Sequence, residues 1–130
     1  MRCYLDSSAL AKLVVREPES HDLRHFLTQS RLMVTSVISA TEIRRAAQRI
    51  SNVAVEATPR VMSIVAQMDV TRDLLLAAAK VQPAHLRTLD AIHLATAMDL
   101  SSELDSFITY NIKLAEAAVL AGLRVEQPGL

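Results

Sequence analysis

Three carboxylates in this 130-residue chain stand where a folded protein can gather charge: Asp6, Glu42 and Asp90. Asp6 follows the apolar run Cys3-Tyr4-Leu5 and precedes Ser7-Ser8-Ala9-Leu10, where a strand gives way to a helix. Aspartate is a preferred N-cap at such a point. Ser7 and Ser8 would cap equally well, however, so capping leaves Asp6 partly unexplained. Glu42 ends the stretch Ser39-Ala40-Thr41-Glu42, which matches a capping box, and is read either as that cap's partner or as a ligand. Asp90 lies in the first turn of a helical segment, where negative charge suits the helix dipole. The residues after it, Ala91 to Met98, are apolar on most sides, which aims Asp90 at the sheet end rather than at bulk water. His93, one turn on, reads as a hydrogen-bonded core histidine. Asp99, nine residues after Asp90, is half a turn out of phase and reads as surface.

Acids gathered at one place repel each other unless a divalent cation neutralises them. Oxygen donors with few histidines and no cysteine pair favour Mg²⁺ or Mn²⁺ over zinc. The reaction class that uses such a cluster is phosphodiester hydrolysis, in which the metal lowers the pKa of a bound water and stabilises charge on the phosphate. Arg44, Arg45 and Arg49 follow Glu42 on one helix. They form a solvated face or, together with Arg60, contacts to a nucleic-acid backbone.

Composition narrows the field. The chain has 14 basic and 14 acidic residues, no formal net charge, and 51% hydrophobic residues, enough for one domain over 1–130. Two glycines, Gly122 and Gly129, exclude a glycine-rich dinucleotide turn and a P-loop. The lone Cys3 excludes an internal disulfide framework. Four scattered aromatics make no base-stacking platform. Zero net charge argues against a purely electrostatic nucleic-acid binder but leaves room for a local basic patch, and 11 of the 14 basic residues are arginine. No apolar run reaches the ~20 residues of a membrane span. The N-terminus meets a charge too soon for a signal peptide, so the cytoplasm is the expected location.

The elements that must position these residues alternate. Strands are expected at Arg2 to Leu5, Leu32 to Thr35, Ser106 to Tyr110 and near Val125, with a short extended piece near Asp69-Val70. Helices are expected at Ala9 to Val15, from Pro18 to about Gln29, and from Ser39 to Ile50. A further helix runs from Ala54 to Met68, with a break or a new first turn at Pro59. Thr71 is expected to cap Leu74 to Lys80; Thr88 to Leu100 follows, and a last helix runs from Asn111 to a C-cap at Gly122. This alternation implies an α/β fold with a mostly parallel sheet, whose ligands bind outside the carboxyl ends of the strands.

The same residues resemble a known family. Tyr4-Leu5-Asp6-Ser7-Ser8-Ala9-Leu10 is similar to the opening of PIN domains, and Glu42 falls where their second acid is expected. Leu86-Arg87-Thr88-Leu89-Asp90-Ala91-Ile92-His93-Leu94-Ala95-Thr96-Ala97 resembles the third-acid segment of VapC toxins from bacterial VapBC toxin–antitoxin pairs. Phe107-Ile108-Thr109-Tyr110-Asn111 resembles their fourth motif, and the match spans essentially the whole chain. The resemblance implies a three-layer α/β/α fold with a central parallel sheet, and a Mg²⁺- or Mn²⁺-dependent endoribonuclease acting on transfer or ribosomal RNA. It also implies a homodimer inhibited by a cognate VapB-like antitoxin. On that mapping Asp6, Glu42 and Asp90 are metal ligands and Thr109 assists through its hydroxyl. One position departs: Asn111 stands where the family carries an aspartate, which removes a negative charge. Weaker second-metal binding or lower activity is the expected consequence, and Glu116, five residues on, is a poor substitute.

Two other functions compete. One is an attenuated or non-catalytic module of this fold that binds RNA or antitoxin without cleavage. The other is a phosphatase or phospho-receiver on a similar sheet; against it, Ser8 stands where a phosphatase places a second aspartate, and no adjacent acid pair exists. The apolar segments Leu13-Val14-Val15 and Leu23, Phe26, Leu27 are read as core packing or as part of a partner surface.

Overall fold

β1 (Arg2–Leu5) lies at the middle of the sheet: Cys3, Tyr4 and Leu5 are all fully buried, so both faces of the strand are covered. That is the pattern of a parallel strand between helical layers. The computed structural model describes residues 1–130. After β1 come α1 (Ser7–Val14), α2 (Ser20–Leu27), β2 (Leu32–Ser36), α3 (Ile38–Gln48), α4 (Asn52–Ser63) and β3 (Ala66–Met68). Then follow α5 (Arg72–Ala78), α6 (Thr88–Asp99), a 3-10 turn at Ser101–Glu103, β4 (Ser106–Ile108), α7 (Ile112–Leu120) and β5 (Val125–Glu126). The strand order is β3-β2-β1-β4-β5 and every neighbouring pair is parallel. No helix is long and apolar enough to cross a membrane.

The chain steps outward from β1 to β3 on one side, then crosses to lay β4 and β5 on the other. The switch point therefore falls between β1 and β4, the place where open α/β sheets bind ligands. Leu5 is in register with Ile108, so Asp6 and Thr109 leave the sheet side by side.

Alternation along the strands sorts the core into two layers. Cys3, Leu5 and Ile108 pack with Leu10, Leu13, Leu23, Ile43 and Met62, the apolar faces of α1 to α4. Tyr4, Val34 and Phe107 turn the other way, onto Leu94, Leu114 and Ala117 of α6 and α7. Tyr4 and Phe107 stack in parallel with ring centres 5.3 Å apart. Each fully buried Leu or Phe contributes roughly 1.5–3 kcal/mol. Four helix starts, those of α1, α4, α5 and α7, are capped by side chains: Asp6, Ser51, Thr71 and Asn111 each accept from the backbone N–H three residues on. Gly122, at φ +88°, turns the chain after α7 in the left-handed conformation that suits glycine.

Two expectations about α4 fail. The expected break at Pro59 does not occur; Pro59 lies inside the helix. A mid-helix proline leaves the carbonyl four residues back without its N–H. That carbonyl belongs to Val55, and the Thr58 hydroxyl donates to it at 2.8 Å. The helix then stops at Ser63 rather than at Met68, and Ala66–Met68 becomes an edge strand beside β2. The extended piece expected near Asp69-Val70 thus falls about three residues earlier, because a short, largely exposed strand has no alternating pattern long enough to fix its bounds.

Candidate active site

β1 ends at the switch point and delivers Asp6, 2% exposed, as the N-cap of α1. Its Oδ1 accepts from Ser8 Oγ at 2.7 Å and Ala9 N–H at 3.0 Å, and its Oδ2 accepts from Thr109 Oγ1 at 2.6 Å. Burial pushes its carboxyl above the usual carboxylate range, although Thr109, Ser8, His93 and the Ala9 N–H pull the other way. Asp6 is thus both a cap and a buried acid at the sheet end.

Glu42 is not a capping-box partner. α3 begins earlier, at Ile38, after Val37, which makes no side-chain cap bond, and the Ser39 hydroxyl pairs with Thr35 Oγ1 at 2.7 Å instead. Glu42 therefore lies past the first turn and points toward the sheet end. Its Oε2 accepts from Ser7 Oγ at 3.0 Å, and its Oε1 is 2.7 Å from His93 Nε2.

Asp90 is half-buried at the start of α6, and its Oδ2 accepts from Asn111 Nδ2 at 3.2 Å. Burial raises its carboxyl, and the negative charges of Asp6 and Glu42 raise it further against the pull of His93 and Asn111. Asn111 spends its Oδ1 on the Leu114 N–H at 3.1 Å, which fixes the amide's orientation and leaves its NH₂ facing Asp90. Thr109, fully buried, links the two: its hydroxyl donates to Asp6 and accepts from the Asn111 N–H at 3.1 Å. Asp6, Glu42, Asp90, Thr109 and Asn111 are therefore brought together, while Asp99 is exposed and apart, as expected.

Glu42, Asp90 and Asn111 open onto a cleft of about 740 Å³, whose walls also carry His85, Arg87 and Lys113. Neither Arg87 nor Lys113 is in an ion pair. The sequence reading missed both; their signal was position, just before α6 and in the first turn of α7. The arginines it singled out lie elsewhere. Arg44, Arg45 and Arg49 are exposed on α3 without lining the cleft, though Arg45 and Arg49 lie on Glu42's side of the helix by spacing. Arg60 lines a separate apolar groove of about 620 Å³ with Leu13, Val14, Leu27, Val53 and Val61. Leu23 belongs to the core.

Residues 3–120 match the family model described as PIN domain. The chain belongs to the PIN-domain family. Within it, this PIN domain is 40% identical over 125 residues to ribonuclease VapC46 of Mycobacterium tuberculosis, covering 96% of each chain. Among solved structures it resembles VapC20 of Mycobacterium tuberculosis, a sarcin–ricin loop cleaving toxin, with a TM-score of 0.74 at 17% identity, over 97% of this chain and 99% of that one. VapBC-1 of nontypeable Haemophilus influenzae matches with a TM-score of 0.68 at 20% identity, over 98% of each chain. At those identities the structural matches speak for the fold, and the five-stranded parallel sheet between helical layers is the expected one.

The donor chemistry of the site suits a hard divalent cation. Asp6 and Asp90 have no basic ion-pair partner, and both are pushed toward the neutral form by burial. Only one oxygen of Asp90 is hydrogen-bonded. His93 is no candidate ligand, since Tyr4 and Glu42 occupy both ring nitrogens. No three acidic, histidine or cysteine side chains form a ready-made cage. A cation at this site would therefore be held by Asp6, Glu42 and Asp90 partly through its own waters, the usual habit of Mg²⁺.

Proposed function

We propose that this PIN domain is a Mg²⁺- or Mn²⁺-dependent endoribonuclease of a toxin–antitoxin pair, with Asp6, Glu42 and Asp90 as its metal-binding acids. The observation that carries the proposal is the pair of acids without basic partners, Asp6 buried and Asp90 half-buried, beside a cleft with two free cations. The relatives named ribonuclease VapC support the same reaction class. A divalent cation bound there supplies a water activated at neutral pH and stabilisation of charge on the scissile phosphate. The chain's own residues do the rest. Ser8, Thr109 and the Ala9 N–H hold Asp6 in one orientation; Ser7 and His93 hold Glu42; Asn111 holds Asp90. Arg87 and Lys113, on the walls of the same cleft, would contact the RNA backbone near the acids, with Arg45 and Arg49 extending the track from α3. The substrate belongs to the transfer or ribosomal RNA class.

The partner is a VapB-like antitoxin, a reading supported by the likeness to VapBC-1. A homodimer is consistent with the exposed apolar side chains of α5 and α7, Leu76 at 58%, Val119 at 60% and Leu120 at 81% exposure. Light scattering on the isolated chain distinguishes dimer from monomer. The test of activity is cleavage of total cellular RNA in Mn²⁺, Mg²⁺ or EDTA. Metal-dependent cutting that vanishes in Asp6→Ala supports the reading, and cutting unaffected by EDTA contradicts it.

One observation favours a second reading. The Asn111 amide brings no charge, and its oxygen is committed to capping α7. An attenuated or non-catalytic module would follow, and the discriminator is Asn111→Asp: robust cleavage by that variant alone supports a disarmed nuclease.

A further inference from the structure

His93 is completely buried, three residues beyond Asp90 on α6, so one helix sends an acid to the cleft and an imidazole toward the sheet. The ring is gripped at both nitrogens. Tyr4 Oη lies 2.7 Å from Nδ1, and Glu42 Oε1 lies 2.7 Å from Nε2. Tyr4 itself is fixed on the central strand, stacked on Phe107 and edge-on to the imidazole. The Tyr4 hydroxyl is within hydrogen-bond distance of Nδ1 and has a proton to donate to it. A carboxylate only accepts, so Nε2 carries the ring proton toward Glu42. Both ring nitrogens are therefore hydrogen-bonded, and a continuous chain runs from Tyr4 through His93 to Glu42.

We propose that His93, braced by Tyr4, is a positioning residue that sets the direction in which the Glu42 carboxylate faces the other acids. The inference rests on the carboxylate-site reading above and adds residues that touch neither substrate nor cation. Glu42 has a long side chain on a helix from the opposite layer. Without the imidazole, the Ser7 hydroxyl alone would restrain it. Partners that orient ligand side chains affect metal affinity by about 10–100-fold when removed. A histidine serving only to fill the core would have no such effect.

The experiment is a calorimetric Mn²⁺ titration of the metal-free full chain, with RNA cleavage and melting temperature measured on the same samples. His93→Leu removes both hydrogen bonds. His93→Gln keeps an N–H near the Nε2 position. The expected result is Mn²⁺ affinity about 10-fold or more weaker in His93→Leu and within about threefold of wild type in His93→Gln, with kcat falling more than KM rises. Equal loss in both variants, or wild-type affinity in His93→Leu, overturns the proposal. Should His93→Leu fail to fold, Tyr4→Phe decides. It frees the far side of the ring without touching Glu42; weaker Mn²⁺ binding in the folded variant supports the chain, and unchanged binding overturns it. A wild-type chain that takes up no Mn²⁺ sinks the cation reading and this inference with it. Wild-type uptake with unaltered uptake in His93→Leu sinks this inference alone.

Discussion

Asp6 caps a helix and, in the proposed reaction, also serves as a metal-binding acid. Its Oδ1 caps α1, while Thr109 holds its Oδ2, so the helix start aims the acid. Thr109→Val keeps the shape, removes the donor to Asp6 and leaves the Asn111 N–H without its partner. Loss of about 1–3 kcal/mol of stability and roughly 10-fold or more of cleavage is expected, with Thr109→Ser restoring most of both; chemical denaturation and initial rates check this. Asp6 also makes the metal-free fold sensitive to pH. Its carboxyl is raised by burial, so the stabilising situation is the neutral one. Its contribution is fully present below the ordinary aspartate value near 3.8 and is lost as pH rises through the raised value. In Asp6→Asn, which keeps the cap, the metal-free protein should melt a few degrees above wild type at neutral pH, and the gap should shrink toward pH ~4. A gap that widens on acidification contradicts the assignment. At this scale the acids were legible because each sits at the end of a strand or the start of a helix, where local pattern speaks. Glu42's attachment to His93 was not, because it joins residues 51 apart that only the packed layers bring together. The capping-box motif misled for the same reason: Ser39 found a partner in Thr35, on β2.

At the scale of the element, α4 shows local preference overruled by a side chain. Proline in a helix interior costs about 3 kcal/mol, yet the helix passes Pro59 because the buried Thr58 hydroxyl takes up the Val55 carbonyl. Thr58→Val should therefore destabilise by about 1–3 kcal/mol. Pro59→Ala should stabilise by ~1 kcal/mol or more, since it restores the missing N–H and removes the ring from the turn. Urea midpoints read both, and a neutral Thr58→Val contradicts the account. Strands buried on both faces, β1 and β4, were legible from their apolar runs, as were the cap at Thr71 and the helix start at Asn111. The bounds of β3 were not: it has three residues on a sheet edge, and its place depends on pairing with β2.

The whole molecule separates its surfaces. Glu42, Asp90 and the free cations share one cleft at the switch point, with Asp6 buried behind it, while the apolar groove of Leu13, Val14, Leu27 and Val53 belongs to the α1, α2 and α4 side. If that groove receives the antitoxin, Val53→Asp, at a position 75% exposed, should weaken inhibition about 10-fold or more and leave cleavage by the free protein unchanged. An inhibition curve with purified antitoxin checks it, and loss of cleavage in the variant would contradict the separation. The α/β class with a mostly parallel sheet was readable from the alternation of elements, and the three-layer order from the resemblance to PIN domains; the placing of Arg87 and Lys113 was not, because loop and helix starts converge only after the sheet forms. The central claim is that acids without basic partners hold a divalent cation for RNA hydrolysis. The most direct measurement is cleavage of cellular RNA against Mn²⁺ concentration by wild type and Asp6→Ala, with EDTA as the blank. Saturable, EDTA-sensitive cutting that falls more than about 100-fold in Asp6→Ala is predicted. Cutting that persists in EDTA, or that Asp6→Ala retains, contradicts the account.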